Sequence, residues 1–181
     1  NYVGAPRFAA ESAAEVLALT AEAAMRSGCG TSVLGVPDFL AEALYTVVRY
    51  SAVFPLPSKE GQIVFDKGAA EKLAAKATSF VIGPGMGDGD AYSYAKFVLE
   101  NTGCNLVLDA DGLKACERIG NFGGRAVLTP HIGEMSRMCG LPAADISLNP
   151  AEACVEYARA RGAVVLLKGH VSYISDGESV Y

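Results

Sequence analysis

Basic residues never cluster in this sequence. Lys and Arg number 15 against 20 Asp and Glu, a net charge of −5, and no run of Lys or Arg interrupts that balance. Phosphate backbones and acidic membrane surfaces are met by basic stripes, so composition speaks against nucleic acid or an anionic membrane as partner. Long apolar runs are missing too, and the longest fall far short of the about 20 residues of a membrane span. No CxxC pair occurs among the five cysteines, Cys29, Cys104, Cys116, Cys139 and Cys154. An odd, scattered set excludes a disulfide frame or zinc cluster and reads as reduced thiols, each a small buried hydrophobe, in a cytoplasmic protein. The start, "NYVGAPRFAAESA", lacks a basic segment followed by an apolar core, so no signal peptide is expected. It also lacks Met, and Asn1 to Gly4 read like the middle of a loop, as in a chain that has lost its true N-terminus.

What is present is a soluble globular composition: 181 residues, 51% hydrophobic, with 20 glycines. That length suits one domain with a real core, and no internal repeat or linker divides it. The spacing predicts a helix over 6–27, a strand over 31–36, a helix over 38–48 and mostly loop over 49–66, where Pro55, Pro57 and Gly61 fall. A short helix follows at 69–77. A regular rhythm then sets in: strands at 79–83, 105–109, 125–129 and 163–168, with helices at 90–103, 111–120, 130–140 and 149–162 between them. The last helix carries Asn149 as cap, Pro150 in its first position and Gly162 at its end. A second strand follows "KGHVS". Short apolar strands alternating with helices predict an α/β fold, a mostly parallel sheet covered on both faces.

Such sheets hold ligands at the carboxyl ends of their strands. After Ile82 comes "GPGMGDGD", a turn that can receive an anion, let a ring approach the main chain, or merely join strand to helix. After Leu108 comes "DADGL"; Asp111 suits a helix cap, whereas Asp109 ends an apolar strand and can hold magnesium through water. After Leu128 comes "TPHIGEM", with His131 placed in the first turn of a helix, where the dipole favours neutral imidazole. Such a ring can hydrogen-bond a ligand or serve structure alone. Glu134 reads as solvated or paired with Arg137. After Leu167 comes "KGHVS": Lys168 needs an anionic partner, either a ligand phosphate or an acidic neighbour such as Asp109.

Taken in order, "YVGAPRFAAESA", "RSGCG", "VIGPGMG", "LVLDADGL", "LTPHIGEM" and "VLLKGHVSYIS" carry a resemblance. The chain resembles the ADP- or ATP-dependent NAD(P)H-hydrate dehydratases of the ribokinase-like superfamily, over nearly its whole length. One departure is Ile132, where the family usually has a second proline after the histidine. The resemblance implies a ribokinase-like three-layer α/β/α sandwich. It implies a repair enzyme that phosphorylates the hydroxyl of a hydrated nicotinamide ring with ADP or ATP and Mg2+, after which phosphate leaves and NADH or NADPH is restored. It places Ala5, Gly85 and His131 against NAD(P)H hydrate, and Lys168, Gly169, His170, Val171 and Ser172 along the nucleotide. Asp109 is a weaker candidate for the magnesium and phosphate network. It further implies a homo-oligomer, a tetramer among bacterial members, and an NAD(P)H-hydrate epimerase fused to or working with it. The family's general base, an aspartate in a Gly-Thr/Ser-Gly-Asp motif, is expected beyond Tyr181, so the chain reads as shortened at both ends. Two alternatives stand beside this reading: a ribokinase-like kinase of a vitamin-precursor alcohol, and a non-catalytic nucleotide-binding or scaffold protein.

Overall fold

In a computed structural model of the protein, residues 17–49 and 51–181 are described. They divide into two compact units: the first runs to Leu73 and includes Pro84–Asp90, and the second comprises Ala74–Gly83 and Ala91–Tyr181. Of the helix expected over 6–27, residues 17–26 are helical (α1) and the earlier part lies outside the described residues.

In the first unit, β1 (Val33–Pro37) and β2 (Ala52–Leu56) pair in parallel, with Val33 opposite Ala52 and Pro37 opposite Leu56. Helix α2 (Asp38–Val47) connects them. Their core follows from spacing: Leu17 and Ala21 lie four apart on α1, Leu40 and Leu44 four apart on α2, and Leu34 and Val36 alternate on β1. Val36 and Leu44 lose all exposure. The loop expected over 49–66 is corrected here, because β2 and a short hairpin of β3 (Ser58–Lys59) and β4 (Gln62–Ile63) lie within it. Pro55 misled the reading; proline is tolerated in an edge strand, and β2 has one strand partner among the described residues. The hairpin turns through Glu60 and Gly61 with φ of 51° and 79°, the pair of positive angles that matches strand twist in a two-residue loop. Helix α3 (Lys67–Ala74) follows, its Ala69 N–H donating to Asp66 Oδ1 at 2.7 Å.

The second unit holds a five-stranded sheet in the order β5-β6-β7-β8-β9. Strands β5 (Ser79–Ile82), β6 (Asn105–Leu108), β7 (Ala126–Leu128) and β8 (Val164–Leu167) are parallel, and β9 (Tyr173–Ser175) runs antiparallel to β8. Helix α4 (Ala91–Asn101) joins β5 to β6, and α5 (Ile132–Cys139), α6 (Ala143–Leu148) and α7 (Pro150–Arg161) lie between β7 and β8. Leu106, Leu108, Leu128 and Val165 are wholly buried, as apolar parallel strands require. The α-helix expected over 111–120 is instead a 3-10 helix over Ala110–Glu117. Its first bond, Gly112 N–H to Asp109 O at 2.9 Å, closes three residues back, and Ala110 enters it with φ of 49°. Helix α6 was not expected. Because Asn149 closes α6, donating its N–H to Asp145 O, its side chain does not cap α7 as the sequence suggested. Gly162 does end α7, left-handed at φ of 56°. Arg125 lays its guanidinium over the carbonyls at the end of α4, donating to Thr102 O at 2.9 Å, Cys104 O at 3.2 Å and Leu99 O.

All five thiols are free, and Cys104, Cys116 and Cys154 are buried; burial pushes the Cys116 thiol up to about 12. Cys29 corrects the expectation of burial, being exposed with its thiol directed at Thr31 O. Among the described residues no helix is long and apolar enough to cross a membrane.

Candidate functional site

The parallel register aligns Ile82 with Leu108, Leu108 with Leu128, and Leu128 with Val165. The segments after β5, β6 and β7 therefore leave one edge of the second unit's sheet. An isolated parallel bridge between His131 and Lys168 extends β7 and β8 along that edge, through the Lys168 N–H on Pro130 O at 2.8 Å.

Asp109 stands at the centre. Its Oδ1 accepts from Lys168 Nζ at 2.7 Å and from Thr129 Oγ1 at 2.8 Å. The partner demanded by a lysine at the end of an apolar strand is thus Asp109 in this structure. The side chains of Lys168 and Asp109 keep 41% and 34% exposure, so the pair remains open to solvent on one side. Burial raises the Asp109 pKa, but the hydrogen bonds from Lys168 and Thr129 outweigh it and hold the carboxyl below its ordinary 3.8.

A folded-state pKa below the unfolded one makes a contribution to stability that is complete above the unfolded value and lost as pH falls through the folded one. Asp109→Asn should therefore lower the urea midpoint at neutral pH, and the gap to wild type should close below about pH 4. An equal gap at neutral and acid pH would show that the charge of Asp109 contributes nothing.

His131 corrects its expected place. It is the residue before α5 rather than part of its first turn, with φ −82° and ψ 170°. Its Nδ1 accepts from the N–H groups of Gly133 at 3.0 Å and Glu134 at 3.2 Å, which puts the ring proton on Nε2. Glu134 reaches back, Oε2 accepting from the His131 N–H at 2.7 Å, and its Oε1 lies 3.4 Å from His131 Nε2. This is a capping box with histidine in the place usual for serine. Glu134 is accordingly sequestered, with 12% of its side chain exposed, rather than solvated or paired with Arg137. The ring itself stays 55% exposed. Gly133 makes room for it, since a Cβ there would sit 3.0 Å from His131 Cε1.

Beyond Lys168, residues 169–172 form an exposed bend between β8 and β9. The bend favours glycine there, because a Cβ on Gly169 would stand 3.0 Å from Val171 O, tighter than side chains ordinarily pack. At the other end of the edge, β5 and the 3-10 helix touch backbone to backbone. A Cβ on Gly83 would lie 1.8 Å from Asp109 O, and one on Gly112 would lie 2.1 Å from Ile82 O.

The structure thus brings Asp109, His131 and Lys168 to one sheet edge, with Gly169, His170, Val171 and Ser172 in the adjoining bend. Gly85 belongs to the first unit, in the 84–90 turn, with φ of 70°. Ala5 lies outside the described residues. Two further groups had gone unassigned. Thr129 ends the strand expected over 125–129, and a hydroxyl closing an apolar strand beside a lone aspartate is a visible signal. Gln62 offered no signal in the sequence. Among the described residues no group of three His, Cys, Asp or Glu can hold a metal. Asp109 Oδ1 already carries Lys168, and Asp111 pairs with Lys114 at 3.0 Å, so these carboxylates do not form a cation cage by themselves.

A sequence profile of NAD(P)H-hydrate dehydratase matches residues 1–180. The chain is 31% identical over 159 residues to the ADP-dependent (S)-NAD(P)H-hydrate dehydratase of Xanthomonas campestris, covering 87% of this chain and 55% of that protein. It is 34% identical over 170 residues to the bifunctional NAD(P)H-hydrate repair enzyme of Thermanaerovibrio acidaminovorans, covering 90% of this chain and 33% of that one. The crystal structure of the ADP/ATP-dependent NAD(P)H-hydrate dehydratase of Bacillus subtilis, co-crystallized with ATP/Mg2+ and soaked with CoA, superposes with a TM-score of 0.72 at 25% identity, covering 94% of this chain and 60% of that chain. The chain spans about half the length of the single-function relative and a third of the bifunctional one. The fold is ribokinase-like α/β.

Proposed function

Because the chain belongs to the NAD(P)H-hydrate dehydratase family, we propose that its gene product repairs hydrated NADH and NADPH at the expense of ADP or ATP. The observation that carries this reading is the half-exposed Lys168–Asp109 pair, set beside an exposed glycine bend at the carboxyl edge of a family-type sheet. Hydroxide is a poor leaving group, so the ring hydroxyl takes a phosphoryl group from the nucleotide. Phosphate then departs with the C–O bond electrons as the ring nitrogen's lone pair forms an iminium, and loss of a proton from the adjacent ring carbon returns that lone pair and restores the ring double bond. The protein's share is to position and to stabilise charge on the transferred phosphoryl.

In this assignment Lys168 turns its ammonium from Asp109 toward nucleotide phosphate, and Gly169 to Ser172 flank the nucleotide. His131 presents its Nε2 edge to the hydrated ring, where Ala5 and Gly85 leave room by lacking bulk. Magnesium would come bound to the nucleotide phosphates and offset their charge, with Asp109 near it in the same network. A cytoplasmic homo-oligomer, the tetramer that the resemblance implies, fits the reading. So does the epimerase partner that the resemblance implies, fused or separate. A vitamin-precursor kinase is less well supported, since the profile that matches nearly the whole chain is that of the hydrate dehydratases.

The test gives the complete gene product hydrated NADH with ADP or with ATP. Nucleotide-dependent return of the near-ultraviolet absorbance of NADH is expected. No return with either nucleotide rejects the reading, and a stable phosphorylated alcohol from a pyrimidine or thiazole precursor would replace it with the kinase.

A further inference from the structure

In the glycine-rich turn after β5, Met86 O accepts from the Gly89 N–H at 3.0 Å. The β3–β4 hairpin supplies two further hydrogen bonds to the turn's amides. Gln62 Oε1 accepts from the Asp88 N–H at 3.0 Å, and Ile63 O accepts from the Asp90 N–H at 3.0 Å. The fit is close: a Cβ on Gly87 would stand 3.0 Å from Gln62 Oε1, and one on Gly89 would stand 3.5 Å from Ile63 Cβ. The hairpin is anchored in turn, Ser58 Oγ donating at 2.5 Å to Asp38 Oδ1, which also accepts from the Phe39 N–H at 2.9 Å. Ile63 is buried, which fixes the strand from which Gln62 projects. All of these contacts lie within the first unit.

We propose that Gln62 is a positioning residue for the substrate: by holding the Asp88 amide it fixes the 84–90 turn, and with it Gly85. This rests on the reading above, in which Gly85 lies against the hydrated nicotinamide. A turn with positive φ at Gly85 and Gly87, 70° and 60°, has glycine's freedom and takes many shapes unless clamped. The clamp acts on the turn alone, so it belongs to recognition of the ring and not to that of the nucleotide.

The test uses the complete gene product and two variants. Gln62→Met keeps the length of the side chain and removes the acceptor, whereas Gln62→Glu keeps an acceptor oxygen. Gln62→Met is expected to raise KM for hydrated NADH about fivefold, as for one lost hydrogen bond, with kcat and the KM for ADP or ATP within about twofold of wild type. It should also speed hydrogen exchange at the Asp88 amide, and Gln62→Glu should restore both properties. An unchanged hydrate KM with faster Asp88 exchange would show a clamp that does not serve the substrate. A rise in both KM values with a lower Tm would show a merely structural residue. Either result overturns the proposal. If wild type turns over no hydrate, the parent function falls and the substrate role falls with it, while Asp88 exchange still reports separately whether Gln62 clamps the turn.

Discussion

Gly83→Ala is expected to leave the protein largely unfolded, with little soluble material recovered. The added methyl would lie 1.8 Å from Asp109 O, 2.4 Å from Gly112 N and 2.8 Å from Gly112 Cα. All three are backbone atoms, which cannot rotate away as a flexible side chain can. Gly83 also sits at φ of 127°, where an L side chain is strained even in open space. To admit the methyl, β5 must part from the 3-10 helix, and the Asp109 N–H would lose its bond to Ile82 O. The cost should exceed about 4 kcal/mol, a large share of the about 5–15 kcal/mol that holds a domain together. Gly123→Ala is the control, since that residue has φ of 62° but nothing within 4 Å of a new Cβ. It should lose only about 1 kcal/mol to the left-handed backbone. Urea midpoints for the two variants decide the matter, and a Gly83→Ala protein as stable as Gly123→Ala would mean that the crossing is not tight. The consequence reaches the site, because this contact sets the level at which Asp109 leaves the sheet.

The second unit was legible because its signals agree. Apolar runs such as "NLVLD" and "AVVLLK" have no alternation, so they had to be buried parallel strands, and polar residues at their ends had to share an edge. The misses have local causes. Pro55 looks like a breaker until its strand is seen to have one partner among the described residues. The 3-10 helix carries the composition of an α-helix, and what tightens it is the glycine contact between Gly83 and Gly112, which no pattern of hydrophobicity encodes. Asn149 has the residue type of a cap but is spent on closing α6. His131 is the reverse case: a residue type rarely read as a cap forms a complete capping box, so its fixed ring follows from Gly133 and Glu134. Gln62 was invisible because its role is a single long-range bond to a backbone amide.

Lys168→Met is expected to weaken ADP and ATP binding to the complete gene product about 10- to 100-fold, the loss of a charge-assisted bond to phosphate. The competing view is that Lys168 exists to pair with Asp109. Magnitudes separate the two. A pair as exposed as this one, 41% and 34%, gains about 0–1 kcal/mol in water. Phosphate oxygens carry more charge than one carboxylate, so a nucleotide can draw the ammonium away at small cost. Asp109→Asn then acts as the discriminating partner. If Lys168 serves phosphate, removing the carboxylate's charge frees it, and nucleotide affinity should hold or rise while neutral-pH stability falls. If Asp109 instead organises the phosphate network, affinity should fall in Asp109→Asn and the double variant should show strong coupling between the two sites. Rising salt should weaken wild-type binding more steeply than that of Lys168→Met, because one cation contact has gone. Unchanged nucleotide affinity in Lys168→Met, with a lowered urea midpoint, would assign the lysine to the ion pair alone. The 41% exposure of Lys168 leaves its ammonium accessible to a ligand phosphate, which is the condition that the first outcome requires.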